Sequence, residues 1–279
     1  MESKKTSFLK GKLLYFLLIG VFAVVFLVCA IKLVTYWTES SKASSQYDDL
    51  ASLRGSIAAT EPSQSKPSSP TTPSGVPEDS TPPEPTEPTI LADLLPIYEL
   101  NADTVGWIAV PETKINYPVM QTPDRPDYYL KRNFNHTWSD WGAIYAEEAC
   151  DINLPSDNIT LYGHHMKDGS MFAGLDKYKK EAFWKDHQTF SFDTLYERHT
   201  YRIWAVFKTS GNVGEGFPYH TFSDAASEEE FNDFVKTIKS MDFYDTGITP
   251  QYGDKLLTLS TCEYSLNNGR FVVCAVRIS

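Results

Sequence analysis

Hydrophobic and polar positions divide the chain into three stretches. From Leu13 to Ile31, nineteen residues run without a charge, LLYFLLIGVFAVVFLVCAI. As a helix that run is long enough to cross a hydrocarbon core of about 30 Å. Lys32, Leu33 and Val34 follow, then Tyr36 and Trp37, aromatic types enriched at membrane interfaces. The run exceeds a signal-peptide core, no small-x-small cleavage site comes after it, and Val28 before Cys29 is not the small residue of a lipoprotein signal. The pattern therefore predicts an uncleaved anchor over 13–37 behind a short tail, 1–12. Residues 38–59 are polar, with some helical character, and Thr60–Thr89 carries nine prolines among Ser, Thr and Glu. Such a composition cannot bury a core and favours an extended, semi-stiff spacer. Together 38–89 reads as a juxtamembrane linker that would let a domain work at a distance from the bilayer.

The third stretch, 90–279, has the length of one domain. It opens with LADLLPIYELNADTVGWI, a short helix closing into a strand. Strand-like runs then recur at Thr113–Met120, Gly142–Ala146, Asn158–Tyr162, His199–Lys208, Lys255–Thr261 and Arg270–Ile278, separated by turn residues. A mostly antiparallel sheet or barrel is the expected architecture. Two helices interrupt it. One is expected over Ser170–Trp184. The other begins at Ser227 with Glu230 in capping-box register and places Phe231, Phe234, Val235, Ile238 and Met241 on one face, a stripe suited to core packing.

Charge sharpens this picture. Lys4, Lys5, Lys10, Lys12 and Lys32 against Glu2 give residues 1–37 a net +4, so the remainder carries −15 within a total of −11. The lysines before the span set the N-terminus in the cytoplasm and all that follows Trp37 outside. A domain so acidic is a poor ligand for phosphate backbones, and nucleic acid is excluded as an expected partner. Four cysteines make neither a disulfide scaffold nor a paired zinc site. Setting aside Cys29 in the span, Cys150, Cys262 and Cys274 are an odd number outside a membrane, and an unpaired thiol there needs a reason. A Cys150–Cys274 disulfide stays open and would leave Cys262 free.

Lys255–Ile278 is the richest segment. KLLTLSTC reads as a strand ending at Cys262, and seven residues containing the turn dipeptide Asn268-Gly269 lead to RFVVCAVRI. As a hairpin this sets Cys262 beside Arg270, whose guanidinium favours thiolate and offers donors to an oxyanion. A second strand, Asn158–Tyr162, runs through Gly163 into His164 and His165, where a histidine past a sharp turn can serve as general acid and base. A lone Cys or His is more often structural, so the weight rests on the combination. Cys274 shares a strand face with Arg270, Val272 and Val276 and reads as a buried thiol. His136, His187, His199 and His220 read as surface or turn residues, and Glu147, Glu148 and Asp151 as a solvated acidic loop. Asn135-His-Thr and Asn158-Ile-Thr fit the glycosylation pattern but are discounted.

TLSTC with Arg270 opening the next strand resembles the signature of the sortases, and LYGHHM at Leu161–Met166 resembles their histidine motif. NADTVGWIAVPETKINYPVMQ at Asn101–Gln121, then DYYLKRNF, is similar to class B members in particular. The resemblance covers essentially all of 90–279. It implies a closed β-barrel of about eight strands, with an N-terminal helix and a helix before the cysteine strand. It implies a membrane-anchored cysteine transpeptidase of Gram-positive bacteria that needs no cofactor and no metal, calcium activation belonging to another class. Cys262 would attack after the threonine of a C-terminal sorting signal on a surface protein, of the Asn-Pro-x-Thr or Ser/Pro-Pro-x-Thr kind. His164 would move the protons, with His165 a weaker alternative, and Arg270 would hold the oxyanion. Ser260, on the same strand face as the nucleophile, and Thr261 are the implied substrate contacts, and Phe217–Thr249 would help to form the groove. An amine of a peptidoglycan precursor would resolve the thioester. Two other functions stay open at this stage: a cysteine peptidase with water as acceptor, and a non-catalytic surface scaffold. The Ser-His-Gly-Cys type motif of L,D-transpeptidases is absent.

Overall fold

The computed structural model describes the backbone of residues 2–58, 88–212 and 214–279, and the side chains of the first helix over 15–57. That helix, α1 (Glu2–Ala58), contains the apolar run. Its most apolar window has a mean hydropathy of 2.9 with none of it buried, so it is long and apolar enough to cross a membrane. The chain falls into two compact units, Met1–Gln46 and Tyr47–Ser279. The proline-rich spacer expected over 60–89 lies, apart from its last two residues, outside the described residues.

The second unit is built on eight strands: β1 (Thr104–Ala109), β2 (Asn116–Met120), β3 (Ile144–Ala146), β4 (Asn158–Tyr162), β5 (Thr189–Thr194), β6 (Thr200–Ser210), β7 (Leu256–Glu263) and β8 (Gly269–Arg277). They close into a barrel in the order β1-β2-β3-β4-β7-β8-β6-β5. Closure leaves no sheet edge to template aggregation. Six neighbouring pairs are antiparallel, while β2 with β3 and β4 with β7 run parallel. The parallel β4–β7 pair brings the ends of both strands to the same rim, with Tyr162 opposite Ser260.

Helix α2 (Leu95–Leu100) precedes the barrel, and α4 (Glu228–Met241) packs on the outer face of β6 and β8. Ser227 caps α4, its side chain accepting from the Glu230 amide, and the Glu230 carboxylate reaches back to the Ala226 amide. Phe231, Phe234, Val235 and Ile238 are buried against Phe207, Leu256, Val272 and Cys274, each such side chain contributing about 1.5–3 kcal/mol. The stripe is core.

The expected helix over 170–184 is instead a 3-10 segment, Phe172–Lys179, and a separate short helix, α3 (Glu181–Asp186). Lys180 between them is extended, and Gly174 is needed where a Cβ would come within 2.8 Å of Thr113. Strand β5 was not among the expected strands; its only sequence signal is Phe190 and Phe192 spaced two apart among polar residues.

The domain also reaches back beyond Ile90. Tyr47 and Leu50 of α1 are buried, the Tyr47 hydroxyl donating to the Gly142 carbonyl at 2.9 Å and its ring lying edge-on to Tyr117. Arg54 pairs with Asp93 and Asp193, and Arg198 contacts the same two carboxylates. Burial opposes ionisation of Asp93, but the guanidinium hydrogen bonds outweigh it and hold its carboxyl below the usual range. This stretch of α1 is therefore part of the folded unit, although in sequence it is separated from the barrel by the proline-rich residues.

Candidate active site

The β7–β8 hairpin carries one row of facing pairs: Leu256 with Val276, Thr258 with Cys274, Ser260 with Val272 and Cys262 with Arg270. The first three pairs are buried. Alternation of side chains puts all four on one face, and at the last pair that face opens into a groove of about 800 Å³. The connection closes through Asn268, which adopts a left-handed φ of 50°, as the Asn-Gly dipeptide predicts. Cys262 is half-buried and free, and its thiol has no hydrogen-bond partner among the described residues. Cys150 and Cys274 are buried and also free, so the Cys150–Cys274 disulfide left open by the sequence is not formed. Burial raises both thiols, Cys274 to about 12.

Arg270 sits directly across the hairpin from Cys262 but does not bond to it. Its Nη1 donates to the Asn268 and Gly269 carbonyls and, at 2.9 Å, to Asn268 Oδ1. These bonds fix the plane of the guanidinium and leave its other nitrogens without a partner among the described residues. Among the described residues, no carboxylate pairs with it.

His164 follows β4. Gly163 before it donates its amide to the Ser260 carbonyl, and the His164 carbonyl accepts from the Phe172 amide. A Cβ at Gly163 would lie 2.5 Å from Ile144 Cδ1 and 2.6 Å from Phe172 Cγ, so close packing, rather than a left-handed turn, is what requires glycine. The imidazole Nε2 lies 2.7 Å from the Leu130 carbonyl. A carbonyl can only accept, so Nε2 carries the proton and Nδ1 is the acceptor in the neutral ring. Burial lowers the pKa of His164. His164, Cys262 and Arg270 all line the groove.

Ser260 and Thr261 are both buried. The Ser260 hydroxyl is 2.6 Å from the Tyr219 hydroxyl, in the segment Phe217–Thr221 that forms one groove wall. Tyr219, Leu130 and Asn268 each orient a site residue, and only Asn268 carried a sequence signal, as a turn former. The opposite wall is acidic. Tyr162 donates to Glu147, and Tyr145 donates to Asp127 at 2.6 Å. Burial, then Glu148 and Asp127, raise Glu147 to about 7 against the opposing Tyr162 hydrogen bond. Glu147 is thus an ordered groove residue rather than a solvated loop charge, and Asp151 accepts from the Asn153 and Leu154 amides to cap a turn. His199, expected on a surface or turn, is buried beside Tyr201.

Comparison with known proteins points the same way. The family model described as the sortase domain matches residues 108–278. The sortase B of Listeria monocytogenes is 32% identical over 183 residues, covering 65% of this chain and 72% of that protein. The crystal structure of sortase B from Bacillus anthracis in complex with AAEK1 superposes with a TM-score of 0.68 at 27% identity, covering 87% of this chain and 99% of that one. The Staphylococcus aureus sortase B–substrate complex has the same fold, with a TM-score of 0.71 at 23% identity over 87% of this chain and 99% of that one.

Proposed function

The chain belongs to the sortases, in their class B, and on that premise we propose that Cys262 is the nucleophile of a transpeptidase acting on C-terminal sorting signals. The observation that carries the proposal is the pairing of Cys262 with Arg270 at an open strand end, on a groove that His164 also lines.

In this reading neutral His164 accepts the Cys262 thiol proton, and the sulfur attacks the carbonyl carbon after the signal's threonine. The oxyanion is held by the unpaired nitrogens of Arg270, donors already oriented before charge develops. The carbon–nitrogen bond breaks, the leaving amine takes the proton from the His164 imidazolium, and a thioester remains on Cys262. An incoming amine then gives a proton to His164, attacks the thioester and expels the thiolate, which regains that proton. One amide is broken, one is made, and no cofactor or metal takes part. The lowered pKa of His164 favours the neutral form that begins the cycle.

The substrates are surface proteins ending in a signal of the Asn-Pro-x-Thr or Ser/Pro-Pro-x-Thr kind, and the acceptor is an amine of a peptidoglycan precursor. Ser260 and Thr261 act from beneath the groove, Ser260 by fixing Tyr219. The apolar part of α1 anchors the protein as a single span, with residues 1–12 in the cytoplasm and the barrel outside. The test is to incubate the full chain in detergent micelles with a peptide of each signal type, with and without an amine acceptor. Ligated product that requires both Cys262 and the acceptor supports the proposal. Rapid hydrolysis with no ligation in excess amine makes the protein a peptidase instead.

A further inference from the structure

Cys262 and His164 stand on different elements, so their separation depends on whatever ties the end of β7 to the turn after β4. Each has an ionisable neighbour in sequence, Glu263 and His165, and a closed ring of contacts joins these neighbours. His165 Nε2 lies 3.1 Å from the Asp176 carboxylate. Lys179 Nζ lies 3.0 Å from the other Asp176 oxygen and 3.4 Å from Glu263 Oε1. The backbone leads from Glu263 to Tyr264, whose hydroxyl donates to the His165 carbonyl at 3.0 Å and whose ring meets the imidazole edge-on at 5.3 Å.

The ring is braced on the hairpin side. The second Glu263 oxygen accepts from the Ser265 amide at 2.8 Å and its hydroxyl at 2.7 Å, and these bonds with Lys179 outweigh burial and keep the Glu263 carboxyl below the usual range. Lys179 also lies 5.2 Å over the ring of Phe271, the residue after Arg270. On the histidine side, His165 forms an antiparallel bridge with Met171, so Asp176 and Lys179 reach it from the segment that begins there.

None of His165, Asp176, Lys179, Glu263 and Tyr264 lines the groove. The Asp176–Lys179 pair adds little to stability, each side chain being more than a third exposed, whereas His165 and Glu263 are better covered, at 19% and 7%, so thermal unfolding must separate a structural role from a positioning one. What the ring does span is the distance between the two rim elements that carry Cys262 and His164.

We propose that His165 is a positioning residue, and that the ring it closes with Asp176, Lys179, Glu263 and Tyr264 sets the separation of His164 from Cys262. The inference rests on the reading of those two residues as the working pair. It assigns the second histidine of the motif a role distinct from proton transfer.

The test compares ligation kinetics and thermal unfolding of the full chain in micelles for His165→Ala, His165→Gln, Asp176→Asn and the double variant His165→Ala/Asp176→Asn, with Cys262→Ala as control. A displacement of about 1 Å can cost about a hundredfold in rate. We expect His165→Ala and Asp176→Asn each to lower kcat by about ten- to a hundredfold, with KM and Tm little changed. The double variant should be no worse than either single one, since both break the same ring. His165→Gln keeps a donor towards Asp176 and should recover most of the activity. Unchanged kcat in His165→Ala overturns the inference, as does a loss that follows a fall in Tm. A His165→Gln variant as inactive as Cys262→Ala also overturns it, by making His165 the acid and base. If Cys262→Ala itself still ligates, the underlying reading of the site falls with it.

Discussion

The domain holds two constellations built around arginine, and they are made in opposite ways. Where α1 meets the barrel, Arg54 and Arg198 share Asp93 and Asp193, two cations against two anions, with Asp93 only 1% exposed. At the barrel rim, Arg270 donates through one nitrogen to carbonyl and amide oxygens, and among the described residues no carboxylate pairs with it. In the first arrangement each guanidinium is balanced by carboxylates. The second leaves an oriented positive charge beside a free thiol, a poor investment in stability and a useful one for an anionic transition state. On the proposed mechanism, the same side chain is structural in one place and catalytic in the other according to what surrounds it.

Unbalancing each arginine site should have opposite effects. Asp93→Ala leaves Arg54, 14% exposed, and Arg198, 47% exposed, to share Asp193 alone, and losing charge-assisted hydrogen bonds of this kind costs about 1.5–3 kcal/mol. Denaturant unfolding should show that loss, while the specific activity of the folded fraction holds. Arg270→Ala should do the reverse, lowering kcat/KM by about 10²–10³ as loss of an oxyanion donor does, with the unfolding midpoint unmoved. A large stability loss at Arg270, or a large rate loss at Asp93, would erase the distinction.

A smaller effect is expected beneath the groove. Tyr219→Phe removes the partner of the buried Ser260 hydroxyl, at a cost of about 1–3 kcal/mol, and should weaken substrate binding by loosening the wall. The smallest effect concerns the acidic wall. Glu147 has its pKa raised from 4.5 to about 7, so the folded state holds this proton more tightly than the unfolded chain does. Its contribution is fully present below 4.5 and is lost as pH rises through about 7. Glu147→Gln should therefore flatten the fall in stability across that window, read as Tm against pH.

The hairpin of the candidate site was legible in sequence because its parts are local. A strand ending in Cys262, an Asn268-Gly269 turn and a strand starting at Arg270 leave one hairpin register, and β7 and β8 adopt it. Likewise β4 runs from Asn158 to Tyr162, as its apolar pattern predicts. What was not legible depends on partners distant in sequence. Tyr47, Leu50 and Arg54 look like ordinary polar juxtamembrane sequence until Asp93, Gly142 and Asp193 are beside them. His165 looks like a spare copy of His164 until Asp176 and Tyr264 are beside it. The helix expected over 170–184 failed for a similar reason: the demand for a glycine against Thr113 is tertiary, and the extended Lys180 splits what the pattern would join.

If Cys262 carries the acyl group, mass spectrometry of the full chain quenched during turnover of a sorting-signal peptide without acceptor detects it there. Burial holds the Cys150 and Cys274 thiols protonated and covered, whereas Cys262 opens into the groove. A single acyl adduct is expected on the peptide containing Cys262, discharged by an added amine and absent in Cys262→Ala. Turnover with no adduct at Cys262, or with the adduct on Cys150 or Cys274, would contradict it.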